Sequence, residues 1–120
     1  MKIDKNKIYY LSHPCTSNGE MEKNKKHEEL CFRKITAKQQ TAFIGDGELL
    51  DKINVIRPLT VIPPDMEYGE AMKRCLVLLS ACDAIILCGN WEHSTGCLIE
   101  KEQAERLGID VINCKDVCCG

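Results

Sequence analysis

The sequence predicts an α/β domain, a Rossmann/flavodoxin-like three-layer sandwich on a mostly parallel sheet of four or five strands. Two observations predict it. Short β-rich runs alternate with segments of helical period along the chain, and that alternation implies parallel strands joined by right-handed crossovers. One run, Asp83-Ala84-Ile85-Ile86-Leu87-Cys88, is apolar throughout after its first residue. An unbroken run of this length suits a central strand covered by helices on both faces.

The elements follow in order. Lys7 to Ser12 holds Ile8, Tyr9, Tyr10 and Leu11 and reads as the first strand, stopped at His13-Pro14. Thr16 to Lys38 is rich in lysine and glutamate, with a thin apolar stripe of Met21, Leu30, Cys31 and Ile35. It reads as a solvated helix whose stretch Lys23–Glu29 is the wet face. Gly45-Asp46-Gly47 marks a turn. Ile53 to Arg57 is the second strand, closed by Pro58. After a loop with Pro63-Pro64, a helix carries Tyr68, Ala71, Met72, Cys75, Leu76, Leu79 and Cys82 at three- and four-residue spacing, with Asp65 as its expected N-cap. Asp83 to Cys88 is the third strand. The loop Gly89–Ser94 leads into a helix from Thr95 to Leu107, ended by Gly108, and Ile109 to Ile112 is the last strand.

Composition narrows the function. The 120 residues suit a single domain spanning 1–120. Charge is nearly balanced, with 16 basic and 18 acidic residues, so no nucleic acid polymer is expected as partner. No apolar run has the ~20 residues of a membrane span, and the charged start lacks a signal-peptide pattern, so the expected location is the cytoplasm without membrane contact. Nine cysteines are present, mostly inside apolar segments, and in a reducing compartment they read as small core hydrophobes. No CxxC pair occurs. Cys114, Cys118 and Cys119 cluster at the tail without a nearby histidine, a weak zinc signal, so no metal and no cofactor are expected.

In parallel α/β sheets, ligands bind beyond the carboxyl ends of the strands, where strand order reverses. That rule selects Ser12–Thr16, Arg57–Pro64 and Gly89–Gly96. The last segment is the richest. It enters a helix N-terminus whose free N–H groups favour an anion. Ser94 and Thr95 add hydroxyls, Gly96 leaves room, and Glu100 lies four residues on, above the same face. Such a carboxylate suits attack at a sugar anomeric carbon through an oxocarbenium-like transition state. Ser94 or Thr95 serves equally as a plain N-cap, and Glu100 as a solvated helix residue. Arg57 suits a phosphate or a surface salt bridge. Trp91, beside Asn90, suits base stacking or packing over the core edge. His13 suits a ligand contact or loop filling.

From Lys7 to Ile112 the chain resembles the nucleoside 2-deoxyribosyltransferase-like superfamily, which includes deoxynucleoside 5′-monophosphate N-glycosidases. The resemblance rests on Ile8-Tyr9-Tyr10-Leu11-Ser12-His13-Pro14, on Asp83 opening the central strand, and on the spacing of Ser94, Gly96 and Glu100. It implies Glu100 as nucleophile and Tyr9 as the residue orienting it; the strand-end segments and their chemistry make Ser12, His13, Pro14, Arg57, Asn90, Trp91, Ser94, Thr95 and Gly96 the expected ligand-binding residues. A serine at position 94 implies a nucleoside 5′-phosphate, and the family's habits imply a homo-oligomer. Two positions depart. Cys75 stands where enzymatic members carry an Asp, and His13 replaces a loop Gly. Glu92 and His93 are the nearby candidates for the missing acid. The expected activity is cleavage or transfer at the N-glycosidic bond of a nucleotide. The alternatives are a non-catalytic binder of a nucleotide, cyclic or ADP-ribose-type signal, and a protein–protein adaptor.

Overall fold

The computed structural model describes residues 6–14, 21–43, 54–62 and 65–118. Its elements are β1 (Ile8–Ser12), α1 (Met21–Phe43), β2 (Asn54–Ile56), α2 (Pro58–Val61), α3 (Tyr68–Ser80), β3 (Ala84–Leu87), α4 (Thr95–Leu107), β4 (Asp110–Asn113) and α5 (Cys114–Cys118). A 3₁₀ turn, Trp91–His93, precedes α4. The four strands form one sheet in the order β2-β1-β3-β4, and every pair is parallel. This is the predicted Rossmann/flavodoxin-like architecture.

Side-chain alternation along the strands divides the core in two. Tyr9, Leu11, Ala84, Ile86 and Ile112 face one side and meet Cys31 and Ile35 of α1. Tyr10, Ile85 and Leu87 face the other and meet Leu79 of α3 and Ala104 of α4. All four residues of β3 are buried, as its apolar run required. Asp83, just before β3, accepts a hydrogen bond from the Ile8 N–H at 2.8 Å and fixes the start of β1 against it.

Several boundaries and faces differ from expectation. Helix α1 runs from Met21 to Phe43 rather than ending near Lys38, and its predicted start at Thr16 lies outside the described residues, as do Ile53, Gly45–Gly47 and Pro63-Pro64. The stretch Lys23–Glu29 is a wet face only in part, with Lys23, Lys26, His27 and Glu29 exposed. Asn24 and Glu28 are buried, while Leu30 of the predicted stripe is 47% exposed. The inward face of α1 is polar where it overhangs the sheet edge and turns apolar only at Cys31, so apolar period alone misplaced it. The N-cap of α3 is Glu67, not Asp65. The Glu67 carboxylate accepts from the N–H groups of Gly69 and Glu70 at 2.9 and 3.0 Å. Pro58 does not merely close β2. It occupies the first turn of α2, where a missing N–H costs nothing. Gly108 ends α4 in the left-handed conformation, φ 73°, as expected.

Candidate functional site

β1 and β3 are neighbours, yet the chain leaves them toward opposite faces, β1 to α1 and β3 to α4. A crevice must open between those departing segments. The structure has there a cavity of about 420 Å³, within the range of small-molecule sites. Ser12 and His13 line it from the end of β1, Ser94, Thr95, Gly96, Cys97 and Glu100 from the start of α4, and Tyr68, Met72 and Cys75 from α3. Leu59, Ile62 and Met66 add apolar wall, and α1 contributes Met21 and Lys25.

Glu100 is the chemical centre. It is 6% exposed, and both carboxylate oxygens are engaged. The Tyr10 hydroxyl donates to Oε2 and the Ser12 hydroxyl to Oε1, the latter at 2.8 Å. Burial pushes the carboxyl group up, the two hydroxyl donors pull it down, and it settles at about 7. Tyr10 moves far above the ordinary phenol range, through burial and then the adjacent Glu100 charge, so it stays a donor. Burial also raises Cys97, to about 11. Glu100 is thus poised between its acid and its anion near neutrality, held rigidly, and open to the cavity.

The helix N-terminus beside it is only partly free. Ser94 is buried and caps α4, its Oγ accepting from the Cys97 N–H at 3.3 Å. A Cβ built at Gly96 would lie 3.6 Å from both Met72 Sδ and the Tyr68 hydroxyl oxygen, an ordinary contact. Glycine there keeps space open rather than relieving a clash.

Residues 7–113 match the family described as Domain of unknown function (DUF4406). The chain belongs to that family. No curated protein and no solved structure matches it significantly.

In this DUF4406 domain six of the expected site residues meet around one cavity: Ser12, His13, Ser94, Thr95, Gly96 and Glu100. Tyr9 does not join them. It projects to the α1 face, and its neighbour Tyr10 reaches Glu100. A shift of one residue along a strand reverses the face. Ser12 shares the parity of Tyr10, so the contact was deducible once Ser12 was placed in the site. Arg57 forms a paired structural contact with buried Glu28, at 3.0 and 2.6 Å, and stacks over Phe32 with its guanidinium carbon 4.2 Å from the ring centroid. Trp91 packs against the α3/α4 core, and Asn90 is exposed beside it. Neither lines the cavity, nor do Pro14, Glu92 and His93. Cys75 does line it. Tyr10, Lys25 and Tyr68 join the site without a motif that marks them. Lys25 carries no signal in the sequence, where the lysine-rich start of α1 looks uniformly solvated.

His13 is locked from behind. Its Nδ1 lies 2.7 Å from the Pro14 carbonyl oxygen, which can only accept, so Nδ1 donates. Burial keeps the ring below the usual histidine range, hence neutral, and Nε2 then accepts from His27 Nδ1 at 2.7 Å. Gly89 completes this corner. Its φ is +64°, and a Cβ there would stand 2.8 Å from His13 Nε2. Gly89→Ala is expected to lower unfolding free energy by about 2 kcal/mol in denaturant titration, from backbone strain plus displacement of His13. Gly108→Ala supplies the comparison, with φ +73° and open space around the Cβ. It should cost only about 1 kcal/mol. Equal losses would show that the His13 packing contributes nothing.

Proposed function

We propose that this domain cleaves or transfers the N-glycosidic bond of a nucleoside 5′-phosphate, with Glu100 as nucleophile. The observation that carries the reading is a buried carboxylate, held by Tyr10 and Ser12, facing a cavity at the strand switch point. In the reaction a Glu100 oxygen attacks the anomeric carbon as the bond to the base breaks. The resulting glycosyl ester is then opened by water or by a second base. Tyr10 and Ser12 hold the carboxylate and disperse its charge. The Thr95–Gly96 end of α4 and the Lys25 ammonium suit the phosphate.

Glu100 is the sole carboxyl group among the described residues lining the cavity. Protonation of the departing base therefore falls to weaker acids, and the Cys75 thiol and Tyr68 hydroxyl are those on α3. Turnover is expected to be slow. The same feature favours a second reading, a binder that retains the nucleotide intact. Chromatography of a nucleotide panel after incubation separates them. Free base supports the enzyme, and intact nucleotide released on denaturation supports the binder. Neither product nor bound ligand would sink both.

A nucleophile must be ionised. The apparent kcat/KM should therefore fall as pH drops through about 7, where Glu100 gains its proton. Tyr10→Phe removes one hydroxyl that stabilises the anion, so the acidic limb should move to higher pH, with the rate at pH 7 lower by about tenfold. A limb that stays in place would detach Tyr10 from the chemistry.

The same reading puts the protein in the cytosol, where nucleotides are found and thiols stay reduced. Among the described residues, no helix is long and apolar enough to cross a membrane. The homo-oligomer remains part of the proposal, supported by exposed Val61 and Val77 along one surface groove. A sedimentation boundary of single-chain mass would remove it.

A further inference from the structure

Behind the cavity, on the α1 face of the sheet, donor atoms from several elements converge. The register of the parallel strands makes this happen. Ser12 pairs with Leu87 and Leu87 with Asn113, so His13, Cys88 and Cys114 form the next row, just beyond the ends of β1, β3 and β4. Side-chain alternation turns Cys88 and Cys114 toward α1, the side where His13 meets His27. Helix α1 lies over the row and presents His27 and Cys31, four residues apart and so on one face.

The Sγ atoms of Cys31, Cys88 and Cys114 all lie within 4.8 Å of one another, and all three residues are buried. A second trio, His13, His27 and Cys31, meets the same limit and shares Cys31, so His27 stands within it of Cys31 but not of Cys88 and Cys114 together. His27 Nδ1 is taken up by His13, so the nitrogen left for a metal is Nε2, 4.0 Å from Cys31 Sγ. Zinc–sulfur bonds of about 2.3 Å and zinc–nitrogen bonds of about 2.0 Å place tetrahedral ligand atoms roughly 3.5–3.8 Å apart. Buried cysteines commonly pack as small hydrophobes. Packing alone asks for no histidine beside Cys31, and none with its ring oriented by a second histidine.

We propose that Cys31, Cys88 and Cys114, with His27 as fourth ligand, form a structural Zn²⁺ site. His13 acts as a positioning residue, holding the His27 ring through Nε2. The set is three sulfurs and one imidazole, the closed composition of structural zinc rather than of a site with an open position. Binding exchanges thiol protons for the metal, releases them to solvent, and requires no oxidant. The metal would tie α1 and α5 to the ends of β3 and β4, directly behind His13 in the cavity wall. The site is independent of the proposed reaction.

The test is titration of the full chain, fully reduced and stripped by chelator, with Co²⁺ alone and then Zn²⁺. One equivalent of Co²⁺ should give the intense visible bands of a tetrahedral ion and near-ultraviolet thiolate charge transfer. One equivalent of Zn²⁺ should abolish both and raise the melting temperature. Cys88→Ser should weaken the charge-transfer band and metal retention by at least tenfold, and Cys82→Ser, a buried cysteine outside the cluster, should change neither. His27 is exposed, so His27→Ala tests the site without opening the core. It should keep the charge-transfer band but weaken binding by more than the roughly 10–100-fold typical of losing an outer-shell partner. A pale octahedral cobalt spectrum, or no uptake by wild-type protein whose thiols titrate as free, would overturn the site. Unchanged affinity in His27→Ala would overturn the fourth ligand.

Discussion

Glu100→Gln is expected to abolish base release and, above neutral pH, to make the protein more stable. The loss of activity should be about a thousandfold or more, because an amide cannot form the glycosyl ester. The gain in stability follows from the burial that makes the residue useful. The folded state holds this carboxyl group at about 7, against an ordinary value of 4.5. Below the ordinary value both states are protonated, and the buried carboxyl carries no penalty. As pH rises from about 4.5 to about 7, the unfolded chain releases its proton while the folded chain still holds it, so stability falls through that window and levels off above it. A displacement of this size corresponds to about 3 kcal/mol. Glutamine removes the ionisation and keeps the shape. Its carbonyl accepts from one hydroxyl and its amide donates to the other. Denaturant titrations should show variant and wild type nearly alike at about pH 4.5, with the variant ahead by about 2–3 kcal/mol at about pH 8. Parallel curves across that range would mean that Glu100 is an ordinary solvated carboxylate, and the assignment of the site would fall with it.

What made Glu100 legible in the sequence was its setting. A buried strand, a loop, a helix start and a glycine four residues upstream together mark a strand-end site. Its burial was not legible, because that depends on Tyr10 and Ser12, some ninety residues away in the chain. The fold was legible for a similar local reason. The run Ala84–Leu87 is buried on both faces, so its apolar residues are continuous and could be read without a partner. Helix α1 is the opposite case. Its inward Glu28 is polar because its partner, Arg57, comes from outside the helix, and Asn24 on the same face is buried too, so no apolar period marks the buried side there. The cysteines fail for the same reason. Cys31, Cys88 and Cys114 are far apart in sequence, and only the strand register and the crossing of α1 bring them together. Tyr9 and Tyr10 differ by one position, and a strand turns that one position into opposite faces of the sheet.

Arg57 supplies the second large effect, and the pair it forms decides its sign. Glu28 is 1% exposed on its side chain and Arg57 20%, and two nitrogens of the guanidinium grip the carboxylate. Removing one partner leaves the other charge buried and alone. Arg57→Ala is expected to cost about 3–5 kcal/mol in denaturant unfolding, with little relief from added salt, since the pair is shielded from solvent ions. Arg57→Lys should recover only part of this, because an ammonium cannot supply the two-nitrogen grip or the stack on Phe32. Removing both charges with Arg57→Met and Glu28→Gln should restore most of the stability, giving a coupling of about 2 kcal/mol or more in the double-mutant cycle. The double variant also separates a structural arginine from a phosphate ligand. Pro58 and Leu59 follow Arg57 into the cavity wall, and Lys25 precedes Glu28 by one helical turn, so the pair holds two walls in place without entering the cavity itself. Nucleotide affinity in the double variant should then stay within a few-fold of wild type, whereas Arg57→Ala alone should weaken it by loosening both walls. Loss of binding in the well-folded double variant would return Arg57 to the site as a ligand for the phosphate.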